Sequence, residues 1–545
     1  MSGNDKDFAP LTALCVRNLN DKLYEKRKMG ALEVERMVRE FSLAGQNVQI
    51  QRILKVLGED LALSHNPNSR KGGVIGLAAT AIALGKESTN YVAELVKPVL
   101  DSFSDQDSRV RYYACEALYN ISKVCRGFVL PYFNEIFDGL SKLSSDTDQN
   151  VKNGTELLDR LIKDIVTESS AFDLRAFIPI LREKLYVKEQ NPRQFIVSWI
   201  AVLDAVPDIN MLVLLPEILH GLFEILGDSN SEISKMCQDV LQEFLNGIKK
   251  TRTGVNYEGM ANILITHSHS DKALIQYTAI CWLQEFVTQA GRTMLQYTSG
   301  IIDAILPCLA TEGHITRSVS EAAKHLNLAL LNLICEEDDI TTPTLGSPVE
   351  GTPTSSDPQE QSPQESPIST SGSAIRLNIA SVISVLCRML QHQSLRTRIA
   401  ALEWLSHLLL KVPNKAFQHV DSFFPVLLMT LSDISTEVVL LDLETLAEIS
   451  SNPAGKVIPI ESTDQNQGSK VKNKEGQATS SKYPGKVKTK EEKPNEYKSG
   501  LNIYFTKFMK ALLDLFKKDQ NLLEPEERGY FIIRQLSHLL NVYYN

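Results

Sequence analysis

Between Pro98 and Ile165 the chain spells one structural unit twice, and that repetition restricts the possible folds more than any single residue does. In the first pass a short apolar stretch runs from Pro98 to Phe103, and the turn Asp105-Gln106-Asp107-Ser108 follows. A second apolar stretch then opens with Val110-Arg111-Tyr112-Tyr113-Ala114-Cys115. In the second pass Pro131 to Leu143 leads to Asp146-Thr147-Asp148, then Val151-Lys152 and on to Leu158 and Leu161. Asp107 and Asp148 stand where a helix start needs an acceptor for its free N–H groups. Val110, Ala114, Leu118 and Ile121 recur at helical spacing and make one apolar face. Arg111 and Lys152 hold equivalent places, from which a ladder to the turn aspartates of a neighbouring unit is expected. One helical hairpin cannot cover its own stripe, whereas stacked copies can. The pattern therefore predicts an all-α HEAT/armadillo-like solenoid.

The remaining chain supplies further copies. Residues 12 to 42 give a first helix pair, with Ala31, Val34, Val38 and Phe41 on one face. Prolines at 98, 131, 179, 216 and 307 are expected to open successive first helices. The stretch Ser69-Arg70-Lys71-Gly72-Gly73, with Gly76 beyond it, permits two readings. Arg70 and Lys71 could serve an anion or partner site at a helix N-terminus. Alternatively, Gly72, Gly73 and Gly76 allow a tight helix crossing, and this structural or protein-contact reading is preferred because the Walker A order is absent.

Two stretches break the helical pattern. Residues 336–373 are rich in Ser, Thr, Pro and Gln and carry Thr342-Pro343, Ser347-Pro348, Thr352-Pro353, Ser362-Pro363 and Ser366-Pro367. They read as a disordered loop open to proline-directed phosphorylation. Residues 451–500 are Lys-rich and read as a second disordered linker, with weak attraction to anionic lipid as its functional reading. The expected division is thus a helical stack over 1–335, the loop 336–373, further helices over 374–450, the linker 451–500 and the start of a helical region at 501–545.

Composition excludes several classes. A net charge of −9 over 545 residues argues against general nucleic-acid binding. The eight cysteines form no CxxC and fall mostly on apolar helical faces, so they read as buried thiols of a reducing compartment. No signal peptide is legible in Met1 to Pro10, and no apolar run reaches the roughly 18 residues of a spanning helix. No GxSxG, HExxH, kinase glycine loop or dinucleotide fingerprint occurs, so no catalytic residue, cofactor or metal ligand is assigned, and the chain is read as not an enzyme. His267 and His269 lack a third ligand nearby in sequence and read as a surface loop, as does the acidic run Glu336-Glu337-Asp338-Asp339. Trp199, Trp282 and Trp404 read as core.

A resemblance extends over most of the chain. It is carried by Asp7 to Leu11, Leu19 to Lys28, Ser69 to Gly73, Asp107 to Asn120, Leu157 to Leu161 and Lys163 to Ser169. Val206 to Asn210, Asp433 to Ile449 and Phe531 to Leu536 extend it. In these stretches the sequence resembles the vacuolar-morphology HEAT-repeat scaffolds, the ArPIKfyve family of regulators associated with the kinase PIKfyve. The resemblance implies a non-catalytic scaffold of the complex that controls phosphatidylinositol 3,5-bisphosphate. Such a scaffold binds and activates the phosphatidylinositol 3-phosphate 5-kinase. It is held indirectly on the cytosolic face of endosome, lysosome or vacuole membranes and is also found in the cytoplasm. The family's kinase-binding region matches, by position, residues 67–163. Within it Arg70, Lys71, Arg109, Arg111, Tyr112 and Tyr113 are the candidate contacts, because they combine charge or aromatic reach with surfaces between repeats. The family's partner phosphatase, of the Sac-domain type, and its self-association belong to a C-terminal helical region, and the match runs out after Asn541. From the physics of the pattern alone, a karyopherin-like transport or adaptor protein is the alternative.

Overall fold

The computed structural model describes residues 7–169, 172–206, 209–251, 254–310, 317–339, 377–452, 502–518 and 528–543. Most of the described α-helices pack against a sequence neighbour. The N-terminal compact unit, Met1–Glu285, begins with α1 (Ala13–Leu19) and α2 (Tyr24–Leu43). There follow α3 (Asn47–Lys55) with α4 (Pro67–Leu84), α5 (Val92–Asp101) with α6 (Ser108–Cys125), and α7 (Phe133–Leu143) with α8 (Gln149–Glu168). Next come α9 (Leu174–Lys184) with α10 (Gln190–Asp204), α11 (Leu215–Leu226) with α12 (Ser231–Lys250), and α13 (Tyr257–Ser268) with α14 (Ala273–Ala290). The second members α2, α4, α6 and α8 pack side by side, as do α5 and α7 among the first members. The unit is therefore a two-layered HEAT-type stack whose core lies between the layers.

The C-terminal unit, Phe286–Asn545, is built in the same way. Its helices are α15 (Thr298–Ile305), α16 (Arg317–Leu333), α17 (Ile379–Met389), α18 (Leu395–Lys411), α19 (Pro413–Phe417), α20 (Val420–Thr430), α21 (Thr436–Ser451), α22 (Ile503–Lys518) and α23 (Arg528–Tyr543). The expected phosphorylation loop and Lys-rich linker fall almost wholly outside the described residues. Of the acidic run Glu336–Asp339, Glu336 is exposed as expected, but Asp338 is not. The run forms a 3₁₀ turn in which Asp338, 8% exposed, pairs with Arg292 at 2.5 Å.

Local chemistry explains the hairpins. Asp107 and Asp148 cap α6 and α8, accepting from the N–H groups of Arg109 and Asn150 at 2.8 Å. Val110, Ala114, Leu118 and Ile121 are fully buried, and each large apolar side chain so covered contributes about 1.5–3 kcal/mol. The three tryptophans are core, none more than 1% exposed. The glycines after Arg70 serve close packing. A Cβ on Gly72 would lie 2.0 Å from the carbonyl oxygen of Leu19, and one on Gly73 would lie 2.5 Å from the Ala62 nitrogen.

The prolines mark helix starts only in part: Pro216 lies in the first turn of α11 and Pro131 just ahead of α7, whereas Pro307 follows α15. Pro98, Pro179 and Pro425 lie inside α5, α9 and α20. In α5 the apolar face Val92, Leu95, Val96 and Val99 outweighs the one backbone hydrogen bond that a proline removes.

Candidate protein-interaction surface

The six candidate residues cluster about the start of α6, but they do different things. Arg70 forms a forked pair with Asp105, at 2.5 Å through Nε and 2.9 Å through Nη2, and donates to the carbonyls of Ser64 and His65 in its own turn. Arg111 repeats this with Asp146, at 2.6 and 2.9 Å, and with the carbonyls of Asp105 and Gln106. Arg193 to Asp228 and Arg398 to Asp433 are further rungs, and in all four the arginine and the aspartate stand 35 positions apart. Lys71 is tied to Asp107 at 2.7 Å. Three of the six candidates are thus held by ion pairs between successive turns and present little free charge to a partner.

The expected ladder is real, but its second rung is not Lys152. That lysine forms no ion pair among the described residues, because the position facing it in the next turn is Val187. Burial alone pushes the Asp146 carboxyl up, yet the hydrogen bonds from Arg111 and from the Asp148 N–H outweigh it and hold the pKa below the usual range.

Arg109 is exposed beside the Asp107 cap. Tyr113 stacks on Tyr24 with centroids 6.0 Å apart and meets Tyr112 edge-on at 5.4 Å. Arg27 explains why a tyrosine stands there. It grips the carbonyls of its own turn, Asp21 and Lys22, as the ladder arginines do. The equivalent of Asp105 in the next turn is Ser64, not an acid, and the guanidinium lies over the Tyr113 ring, 5.5 Å from the centroid.

On the face built by α2, α4, α6 and α8 two grooves adjoin. The first, of about 160 Å³, lies between Tyr24, Leu32, Ile82 and Tyr113; the second, of about 380 Å³, lies between Tyr112, Tyr119, Asn153 and Leu157. Glu116 and Asn120 line both, so the grooves are continuous. They stay open because the helices meet through small residues, Ala78, Ala79, Ala117 and Gly154. Leu32 is 56% exposed, Ile82 41% and Leu157 56%, so their apolar surface faces solvent rather than the core. Glu116 is open to water yet flanked by the groove walls, and this desolvation raises its carboxyl pKa. Sequence reasoning reached Tyr112 and Tyr113 but missed Leu32, Ile82, Glu116 and Leu157. The available signal was an apolar residue on the helix face opposite the buried stripe.

A larger cleft of about 780 Å³ lies on the other layer, between α5 and α7. Its main charges are already matched: Asp138 with Lys142 and Lys184, each at 2.6 Å, and Asp146 with Arg111. It offers a partner less unmet chemistry than the apolar groove does.

Residues 68–164 match the family model described as the Vacuolar 14 Fab1-binding region. A VAC14 homolog of Schizosaccharomyces pombe is 30% identical over 97% of this chain and 67% of its own length. The chain belongs to the VAC14 family. A VAC14 homolog of Arabidopsis thaliana is 42% identical over 82% of the chain. The vacuole morphology and inheritance protein 14 of Saccharomyces cerevisiae is 33% identical over 81%. The matched regions span 55% and 53% of those two relatives, so this chain covers about half their length. Among solved structures, the Kap95:Nup1 complex aligns over 97% of this chain and 56% of that one, at 10% identity and a TM-score of 0.34. The VAC14 region named for Fab1 binding begins with α4 and ends within α8, so it contains most of the continuous groove.

Proposed function

We propose that this chain is a non-catalytic scaffold that binds the phosphatidylinositol 3-phosphate 5-kinase, Fab1 or PIKfyve, and supports its synthesis of phosphatidylinositol 3,5-bisphosphate. The observation that carries this reading is the coincidence of residues 68–164 with the repeats whose exposed face holds the apolar groove. The kinase segment that fits is amphipathic. Its apolar side covers Ile82 and Leu157, and a basic residue faces Glu116. The site of action is the cytosolic face of endosomal, lysosomal or vacuolar membranes, with the chain held there through the kinase. In keeping with this, no helix among the described residues is long and apolar enough to cross a membrane. Phosphatase binding and self-association form no part of this proposal.

The test is kinase capture by the immobilised chain, compared with an Ile82→Glu/Leu157→Glu variant. Both side chains are exposed, so helicity should not change, while capture should weaken at least tenfold, about 1.4 kcal/mol or more. Lipid-kinase activity should follow the captured kinase and be absent from the chain alone. Undiminished capture by that variant, together with loss on Lys142→Ala, would move docking to the α5–α7 cleft. No capture by the wild-type chain would sink the scaffold reading.

A further inference from the structure

The groove and the ladder leave one chemically distinctive cluster unused. His267 does not lie in a surface loop, as its sequence context suggests. It sits in the last turn of α13, 6% exposed, with its ring stacked on Phe223 at 4.7 Å. Its Nε2 faces Nδ1 of His220, on α11, at 2.8 Å. Glu224 follows His220 by one helical turn and so shares its face. Ligand atoms from the three side chains lie within 4.8 Å of one another. His269 takes no part in this cluster, and the two ligands that join His267 both come from another hairpin.

We propose that His220, Glu224 and His267 form a zinc site that clips α11 to α13. Two imidazoles and one carboxylate are the borderline nitrogen and oxygen donors that zinc takes, whereas magnesium and calcium want oxygen throughout. Nitrogens bound to one tetrahedral zinc at roughly 2.0–2.1 Å stand about 3.4 Å apart. Opening the present 2.8 Å contact by less than an ångström therefore turns a hydrogen-bonded pair into a chelating pair. Phe223, itself met edge-on by Trp282, covers one face of His267, and Tyr186 lies beside His220. Glu224 is exposed, so water can complete the fourth position.

The experiment uses the full chain, stripped with chelator and titrated with Zn²⁺ by calorimetry, then with Co²⁺ by absorption. One equivalent of zinc is expected, with cobalt spectra typical of nitrogen and oxygen ligands. His220→Asn and Glu224→Gln each change a side chain that is not fully buried, so both should keep wild-type helicity. Each should weaken zinc at least about tenfold, since even groups that only support a ligand cost 10–100-fold. His267→Gln should do the same, but its burial makes it the less safe variant. Absence of stoichiometric binding overturns the proposal. So does equal affinity in the His220 and Glu224 variants, or a thiolate-to-cobalt band showing that cysteines hold the metal.

Discussion

At the residue scale, a side chain's place in the repeat decides what it costs. Three residues beyond each ladder arginine lies a position packed deep in its hairpin, filled by Ala114 in α6 and Ala401 in α18, both fully buried. The same position in α21 is Asp442, also fully buried, and neither carboxylate oxygen has a hydrogen-bond partner among the described residues. Burial, reinforced by Asp433, raises its pKa well above the usual range, so the native state keeps a proton that the unfolded chain releases above about pH 4. Stability should therefore fall as pH rises from there, while the carboxyl is still protonated in the fold. Asp442→Ala should stabilise the C-terminal unit by roughly 1–3 kcal/mol, the usual cost of an unsatisfied buried polar group. The gain should be larger at pH 8 than at pH 4.5, as read by thermal unfolding at both. Equal melting temperatures at pH 8 would show that the carboxyl has found a partner. The burial of Asp442 is legible in the sequence only through the register, which sets it at helical spacing among Val438, Val439, Leu446 and Ile449.

At the element scale, the ladder fixes each turn to the next. Arg111→Ala removes the fork to Asp146 and also frees the carbonyls of Asp105 and Gln106, so two turns loosen together. Leaving Asp146, with its side chain only 7% exposed, without its cation should cost about 3 kcal/mol. Arg111→Lys should recover only part of this, since an ammonium cannot make the fork. Because the Asp146 pKa is lowered, the contribution is complete above about pH 4 and is lost as pH falls through the lowered native value. Urea unfolding at pH 7 and pH 3 checks this: the gap between wild type and variant should narrow only at the lower pH. The hairpins, their caps and the existence of a ladder were legible because each rests on local spacing. The rungs were harder to assign. Lys152 looks equivalent to Arg111 until Val187, in the next turn, is seen to be its counterpart. The groove was least legible, since an exposed Leu32 or Leu157 signals a surface only once α2 to α8 stand side by side.

At the scale of the molecule, a stack whose hairpins touch mainly their neighbours should tolerate removal of whole repeats but not of fractions. The turn positions Ser64, Asp105, Asp146, Val187 and Asp228 recur at one constant interval of about 41 residues, within the HEAT range. Excising 67–148 therefore removes two repeats in register. Asn66, which now caps α4 by accepting from the Asn68 N–H, would be followed directly by α8 and would take over the capping done by Asp148. Lys152 would then occupy the place of Arg70, and the apolar face of α8 would meet α2 as α4 now does. Excising 67–163 instead leaves only Asp164 to Glu168 of α8, and the stripe of α2 that α4 covers would be open to water. The first deletion should yield a monodisperse helical protein that unfolds cooperatively and captures no kinase. The second should aggregate or show exposed apolar surface by dye binding. If both deletions behave alike, the neighbour-only account of this stack's stability is wrong. If the in-register deletion folds and still captures kinase, docking lies outside α4 to α7.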